Sequence, residues 1–271
     1  MAVLVHLSDL HFGRVDERLI DPLLATVTAA RPDVVVVSGD LTQRARRREF
    51  EAARAFVGRL PRPRVIVPGN HDVPLYNVLD RVARPLASFR QFIEADPMPR
   101  FANGELVVVG VNTARSVVIK NGRINREQID AIRAAFRDAP ADALRVVVTH
   151  HPFDAGEAMD SGDRVGRAEL AMEAFDECGV DLLLSGHLHV AYSGATMPAL
   201  RCRGALAVSA GTATSTRVRG DPNEFNVLRV DKGRIEVERR AWDEAAGAFQ
   251  ASGCMVFERT ADGWATAPQN E

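Results

Sequence analysis

The chain has 271 residues, 46 % hydrophobic and 26 % charged, a mix that excludes wholesale disorder and fibrous architectures. Its formal net charge of −2 gives no overall attraction for nucleic acid or an anionic membrane, which leaves only a local basic patch to act that way. Of 34 basic residues only Lys120 and Lys232 are lysines, an imbalance that reads first as coding bias.

Cys178, Cys202 and Cys254 are odd in number, widely spaced and without a paired motif, so a reducing compartment is expected. The N-terminal run Met1–His6 reaches polar Ser8 and Asp9 at once and has no basic leader, so no signal peptide is expected. No stretch approaches the roughly 18 apolar residues that a membrane span needs. A cytoplasmic location is the expectation.

In chain order, short β-branched runs alternate with helical spacings. Val3–Leu7, Val34–Val37, Arg64–Val67, Leu106–Val111, Arg145–Thr149 and Asp181–Leu184 read as buried strands. Between them Glu17–Ala30, Ala45–Leu60, Arg126–Arg137 and Arg167–Cys178 carry helical periodicity, the last stopped by Gly179. Leu75–Glu94 reads as helical with a break near Pro85. From about residue 190 the pattern turns to strands: Ala205–Ser209, Glu224–Val230, Arg234–Arg240 and Met255–Arg259, with a turn at Asp231-Lys232-Gly233. The order predicts an α/β fold of two packed sheets flanked by helices, one domain over residues 1–265 with a frayed tail over 266–271. The β-rich part also offers an edge on which a second copy can pair, as in a homodimer.

The informative feature is the chemistry at the strand ends. Val3–Leu7 runs into Asp9-Leu10-His11, Val34–Val37 into Ser38-Gly39-Asp40, and Arg64–Val67 into Gly69-Asn70-His71-Asp72. Arg145–Thr149 ends in His150-His151-Pro152, and Asp181–Leu184 in Ser185-Gly186-His187-Leu188-His189. Ligands of α/β sheets gather at strand carboxyl ends, so five such ends can converge. On an extended chain Asp9 and His11 would share a face, as would His187 and His189. Oxygen and imidazole donors without thiolate suit Mn, Fe, Zn, Co or Ni. One histidine at a strand end is commonly structural; five donor-bearing ends in one chain point to a metal site.

The ordered set Asp-x-His, Gly-Asp, Gly-Asn-His-Asp, His-x-Pro and Gly-His-x-His resembles the signature of calcineurin-like metallophosphoesterases, and covers about two-thirds of the chain, from Asp9 to His189. The short form is similar to bacterial class III cyclic-nucleotide phosphodiesterases and the glycerophosphodiesterases related to them. The resemblance implies a four-layer sandwich of two mixed β-sheets flanked by helices. It implies two divalent transition metal ions (Mn, Fe, Zn or Co). Asp9, His11 and His189 would hold one, Asn70, His150 and His187 the other, and Asp40 would bridge both. It also implies hydroxide attack on phosphorus between the metals, with His71 as general acid to the departing alkoxide. His151 would then stand behind the ligands, and Asp72 either orients His71 or a ligand or serves the turn.

Asn112 and Arg115 follow a strand end and either contact substrate phosphate or pair at the surface. Arg217 and Arg219 lie in a long polar connection of the kind that lines sites. The run Arg44–Arg48 reads as a solvated helix face or as a guide for an anionic substrate, and Tyr76 as a core aromatic or a base-stacking ring.

The expected activity is therefore hydrolysis of a small phosphodiester, with a 3′,5′-cyclic nucleotide as the leading substrate. A nuclease is disfavoured by the near-neutral charge. A nucleotide-lipid pyrophosphatase would need an apolar acyl groove that no inserted amphipathic segment supplies. A non-catalytic binding scaffold would have eroded ligand positions, and none is eroded here.

Overall fold

The computed structural model describes residues 1–75, 78–115, 121–154, 164–195, 204–216, 222–231, 233–261 and 263–268. Tyr76, Cys202, Arg217, Arg219 and Lys232 lie outside the described residues.

The first half alternates strand and helix: β1 (Ala2–Leu7), α1 (Ile20–Ala29), β2 (Val34–Val37), α2 (Arg47–Arg59), β3 (Arg64–Ile66), α3 (Val78–Ala83), α4 (Ala87–Phe92), β4 (Arg100–Ala102) and β5 (Leu106–Gly110). Then come α5 (Arg126–Arg137), β6 (Leu144–Val148), α6 (Ala168–Glu177), β7 (Leu182–Ser185), β8 (Tyr192–Ala195) and β9 (Leu206–Ser209). Four strands close the chain: β10 (Glu224–Val230), β11 (Arg234–Asp243), β12 (Ala248–Thr260) and β13 (Gly263–Thr266).

One sheet runs β13-β12-β11-β10-β1-β2-β3, with β1, β2 and β3 parallel and the others antiparallel. The other runs β4-β5-β6-β7-β9-β8, parallel in its middle and antiparallel at both edges. Both are mixed, and side-chain alternation explains how they stack. Val34 and Val36 of β2 point into an apolar layer shared with Val146 and Val148 of β6. Val35 and Val37 point the other way, onto Leu23 and Val27 of α1 and Phe50 and Phe56 of α2. On the far side Val107 and Val147 pack against Ile129 and Ile132 of α5 and Met172 and Phe175 of α6. Strands buried on both faces read as continuous apolar runs, which is why they are visible in the sequence. The result is the expected four layers, helices–sheet–sheet–helices.

The differences have local causes. The helix expected from Glu17 starts as one 3-10 turn, Glu17–Leu19, capped by Asp16, because Pro22 has no N–H to donate to the Arg18 carbonyl. The helix expected from Ala45 starts at Arg47, since Ala45 sits at φ +53°, outside helical space. Leu75–Glu94 breaks at Pro85 into α3 and α4, as expected. β4, β8 and β13 had no expectation: each is a strand of three or four residues at or next to a sheet edge. Residue 266 is not frayed; Thr266 pairs with Phe257, and the Ala267 N–H donates to the Val256 carbonyl at 2.8 Å. Among the described residues no helix is long and apolar enough to cross a membrane.

Candidate metal centre

β1, β2 and β3 of one sheet, and β6 and β7 of the other, deliver their carboxyl ends to the same gap. Asp9, His11, Asp40, His187 and His189 all have positive φ, between 51° and 72°. The expectation that Asp9 and His11, or His187 and His189, share a face of an extended strand is therefore corrected. Left-handed turns, not strand alternation, swing both members of each pair inward. Non-glycine residues adopt this region at a cost, and such residues cluster where function holds them. Here neighbouring loops hold them: the Asp9 N–H donates to the Gly39 carbonyl at 3.1 Å, and that of His11 to the Asp40 carbonyl at 2.9 Å. Two glycines permit the close approach. A Cβ on Gly69 would overlap the Asp40 carboxylate, and one on Gly186 would overlap the Ser8 hydroxyl.

The donors form two sets. Asp9 Oδ1 lies 3.5 Å from His11 Nε2 and 3.4 Å from His189 Nε2. Asn70 Oδ1 lies 3.1 Å from both His150 Nε2 and His187 Nδ1, which are 3.3 Å apart. Asp40 spans them, its Oδ2 at 3.8 Å from His11 Nε2 and its Oδ1 at 3.4 Å from His150 Nε2. Donors bound at about 2.1 Å to one tetrahedral or octahedral ion lie roughly 3.0–3.4 Å apart, so this spacing fits a shared ion in each set. The Asp9 Oδ1 atom is buried and accepts no hydrogen bond among the described residues, which leaves a charged donor aimed at the first set.

Groups behind the donors fix them. His150 Nδ1 donates to the Ser38 carbonyl at 2.8 Å, His189 Nδ1 meets Thr212 Oγ1 at 2.7 Å, and Ser8 Oγ donates to Asp9 Oδ2 at 2.6 Å. Without metal the acids and imidazoles compensate one another. Burial pushes the Asp40 carboxyl up, but His150 outweighs it and holds Asp40 well below the usual carboxylate range. Asp9 behaves likewise, with His189 and His11 overcoming burial. Burial pushes His150 down and Asp40 more than reverses it, raising the imidazole to about 9.

His71 lies at the rim, edge-on to His11 with ring centroids 5.0 Å apart. Its Nδ1 donates to the Gln43 carbonyl at 2.8 Å, and its backbone N–H to Asp40 Oδ1 at 2.8 Å. Asp72 is a buried brace: it accepts from Leu41 N, Thr42 N, Thr42 Oγ1 and Gly69 N, and so ties the loop after β2 to the loop after β3. Burial and the charge of Asp40 push its carboxyl up to about 6. His151 meets Thr113 Oγ1 through Nδ1 at 2.9 Å and packs on His187 with ring centroids 4.6 Å apart.

Asn112 and Arg115 are tied to the start of α5. The Asn112 carbonyl accepts from Gln128 Nε2 at 2.6 Å, and Arg115 donates to Gln128 Oε1 at 2.6 Å and to the Arg123 carbonyl at 2.9 Å. In the Arg44–Arg48 run, exposed Arg47 pairs with Glu51 at 2.8 Å, and the backbone N–H groups of Arg44 and Arg46 donate to Glu49. Gln43, Thr212, Ser8 and Thr113 do not stand out in the sequence. Gln43 acts through its backbone carbonyl, which every residue has, and hydroxyls are too common to be singled out.

A family model described as calcineurin-like phosphoesterase matches residues 2–191. The chain belongs to that family. As a calcineurin-like phosphoesterase it is a metal-dependent phosphoesterase, and two curated relatives are named as phosphodiesterases. It is 24 % identical over 202 residues, 69 % of each chain, to the 3′,5′-cyclic adenosine monophosphate phosphodiesterase CpdA of Escherichia coli K12. It is 37 % identical over 81 residues to the glycerophosphodiester phosphodiesterase GpdQ of Enterobacter lignolyticus, covering 26 % of this chain but only 29 % of that enzyme. Among solved structures, a purple acid phosphatase from yellow lupin seeds superposes with TM-score 0.71 at 13 % identity, covering all of this chain and 57 % of that one. A dimetal phosphatase from Danio rerio gives 0.65 at 13 % identity, covering 89 % of this calcineurin-like chain and 96 % of its own. Both likenesses speak to the fold alone.

Proposed function

We propose that this phosphoesterase hydrolyses a small phosphodiester, with a 3′,5′-cyclic nucleotide as the leading substrate. Asp9, His11 and His189 would hold one divalent transition ion, Asn70, His150 and His187 would hold a second, and Asp40 would serve both. The observation that carries this reading is Asp40, whose two carboxylate oxygens each face a different donor set. The relative aligned over 69 % of both chains is named as a cyclic-nucleotide phosphodiesterase, which favours that substrate.

When bound, two such ions supply activated water and offset charge on the phosphoryl oxygens. The chain's own residues do the rest. His71 donates a hydrogen bond from Nδ1–H to the Gln43 carbonyl, which leaves Nε2 to carry the proton that a departing alkoxide needs. The backbone N–H of His71 on Asp40 Oδ1 keeps the ring beside the donor sets. Asp72 holds the loops carrying Asp40 and Asn70 at a fixed separation. His151 packs its ring against that of His187.

The test compares bis-p-nitrophenyl phosphate with p-nitrophenyl phosphate after metal stripping and Mn²⁺ restoration, with 3′,5′-cyclic AMP in parallel. Metal-dependent turnover of both diesters is the expected result. Turnover of the model diester without cyclic AMP would overturn the substrate, and turnover of the monoester alone would overturn the diesterase reading. The general-acid role of His71 predicts that His71→Ala loses far more rate with an alkoxide leaving group than with p-nitrophenolate, and equal losses would refute it.

A further inference from the structure

The layer between the two sheets is built from valine and leucine until it reaches the metal centre. There it becomes polar: His6 of β1 pairs across the sheet with Val36 on one side and Asn226 on the other, and is fully buried. Its Nε2 meets Ser38 Oγ at 2.9 Å, while its Nδ1 is buried with no hydrogen-bond partner among the described residues. Burial pushes this imidazole down to about 3, so it is neutral. A neutral histidine with one nitrogen unsatisfied is a poor choice for packing alone, since leucine or phenylalanine would bury the same space without that penalty. The position makes sense through Ser38. The Ser38 carbonyl accepts from His150 Nδ1 at 2.8 Å and is one link from the second sheet to the first beneath the centre. Ser38 also precedes Gly39, whose φ of +94° turns the chain to aim Asp40. Nearby, Asn226 Nδ2 donates to the Ser209 carbonyl at 3.1 Å, and Ser209 Oγ meets Ser185 Oγ at 2.9 Å, just before Gly186 and His187.

We infer that His6 is a positioning residue for the second metal set: by holding Ser38 it fixes the carbonyl that orients His150. This rests on the proposal that His150 is a ligand. The bond from His6 ties the Ser38 side chain to β1 and so helps hold the backbone whose carbonyl accepts the His150 Nδ1–H, while Nε2 of His150 faces Asn70 and Asp40. Outer partners of metal-bound imidazoles commonly change affinity about tenfold or more.

Metal-stripped protein is titrated with Co²⁺, following visible absorption and bound metal per chain. His6→Phe keeps an aromatic ring, somewhat larger than imidazole, and removes the bond; it is expected to weaken one of two Co²⁺ ions about tenfold while the protein still folds near pH 7. His6→Gln, which returns a donor near the Nε2 position, recovers much of that affinity. His150→Ala is the reference and loses one ion. If His150→Ala keeps both ions, the ligand assignment fails. If His150→Ala loses one ion while His6→Phe binds both as the parent does, the inference about His6 is overturned. Loss of both ions together with a lower melting temperature in His6→Phe and His6→Gln would equally overturn it, in favour of a purely structural role.

Discussion

Replacing His6 by phenylalanine makes a quantitative prediction about acid stability. In the unfolded chain this imidazole has its ordinary value of 6.5, and in the folded protein burial lowers it to about 3. The folded state therefore refuses a proton that the unfolded state accepts. Stability tied to this residue is intact above the unfolded value and is lost as pH falls from there toward 3. Each pH unit below the unfolded value costs about 1.4 kcal/mol, so the loss between pH 7 and pH 5 is about 2 kcal/mol. Phenylalanine takes up no proton and leaves no unsatisfied nitrogen. Urea unfolding of the metal-stripped parent and His6→Phe is measured near pH 7 and near pH 5, and the two drops in stability are compared. Other titrating groups are common to both proteins and cancel in the difference. The parent's drop is expected to exceed the variant's by about 2 kcal/mol. Equal drops would show that His6 is solvated or protonated in the folded protein, and would refute the account of a dry, neutral histidine beneath the centre.

The geometry supports three further expected outcomes. Gly69→Ala meets no backbone strain, since its φ is −102°, so its effect is steric, against Asp40; about 1–3 kcal/mol of stability and most bound metal are expected to go, read by denaturant melts and metal content. Asp40→Asn is expected to lose both ions and His189→Ala one, by elemental analysis of gel-filtered protein; equal metal loss in the two would contradict a spanning carboxylate. Phe175→Ala empties a site packed edge-on against Phe153 at 5.0 Å, in the layer between the second sheet and its helices. It should cost about 3–5 kcal/mol in unfolding while metal content of the folded fraction is unchanged.

How far the sequence reaches can be seen element by element. The valines of β2 and the amphipathic α5 are legible residue for residue, because an all-apolar strand and a clean helical face are the strongest periodic signals. β4 and β8 are not, since edge strands of three or four residues carry too little pattern. β12 is legible only in its second half; its exposed first half, Gln250–Gly253, has no alternation, and a register shift opposite Arg239 and Arg240 disturbs the rest. The donor residues stand out because aspartate, asparagine and histidine recur after strands, and the folded chain does bring them together. Alternation along an extended chain is not how the backbone does it. Residues that orient the donors and His71 stay hidden: Ser38 and Gln43 contribute main-chain carbonyls, and a main-chain atom leaves no mark in a sequence.

The left-handed turns at Asp9, His11, Asp40, His187 and His189 restrict these five positions twice over. Coordination chemistry asks for oxygen or imidazole donors, and the backbone independently asks for one of the few side chains that tolerate positive φ, a group led by glycine, asparagine, aspartate and histidine. The two vocabularies overlap in three letters. Glutamate, a competent donor with a longer arm, satisfies the chemistry but is disfavoured by the backbone. A library randomised at these five codons and selected only for folding should thus already return asparagine, aspartate, histidine and glycine in excess. A second selection for activity would then have little left to choose among. Much of the spelling of this centre is written by the shape of the chain before any ion arrives.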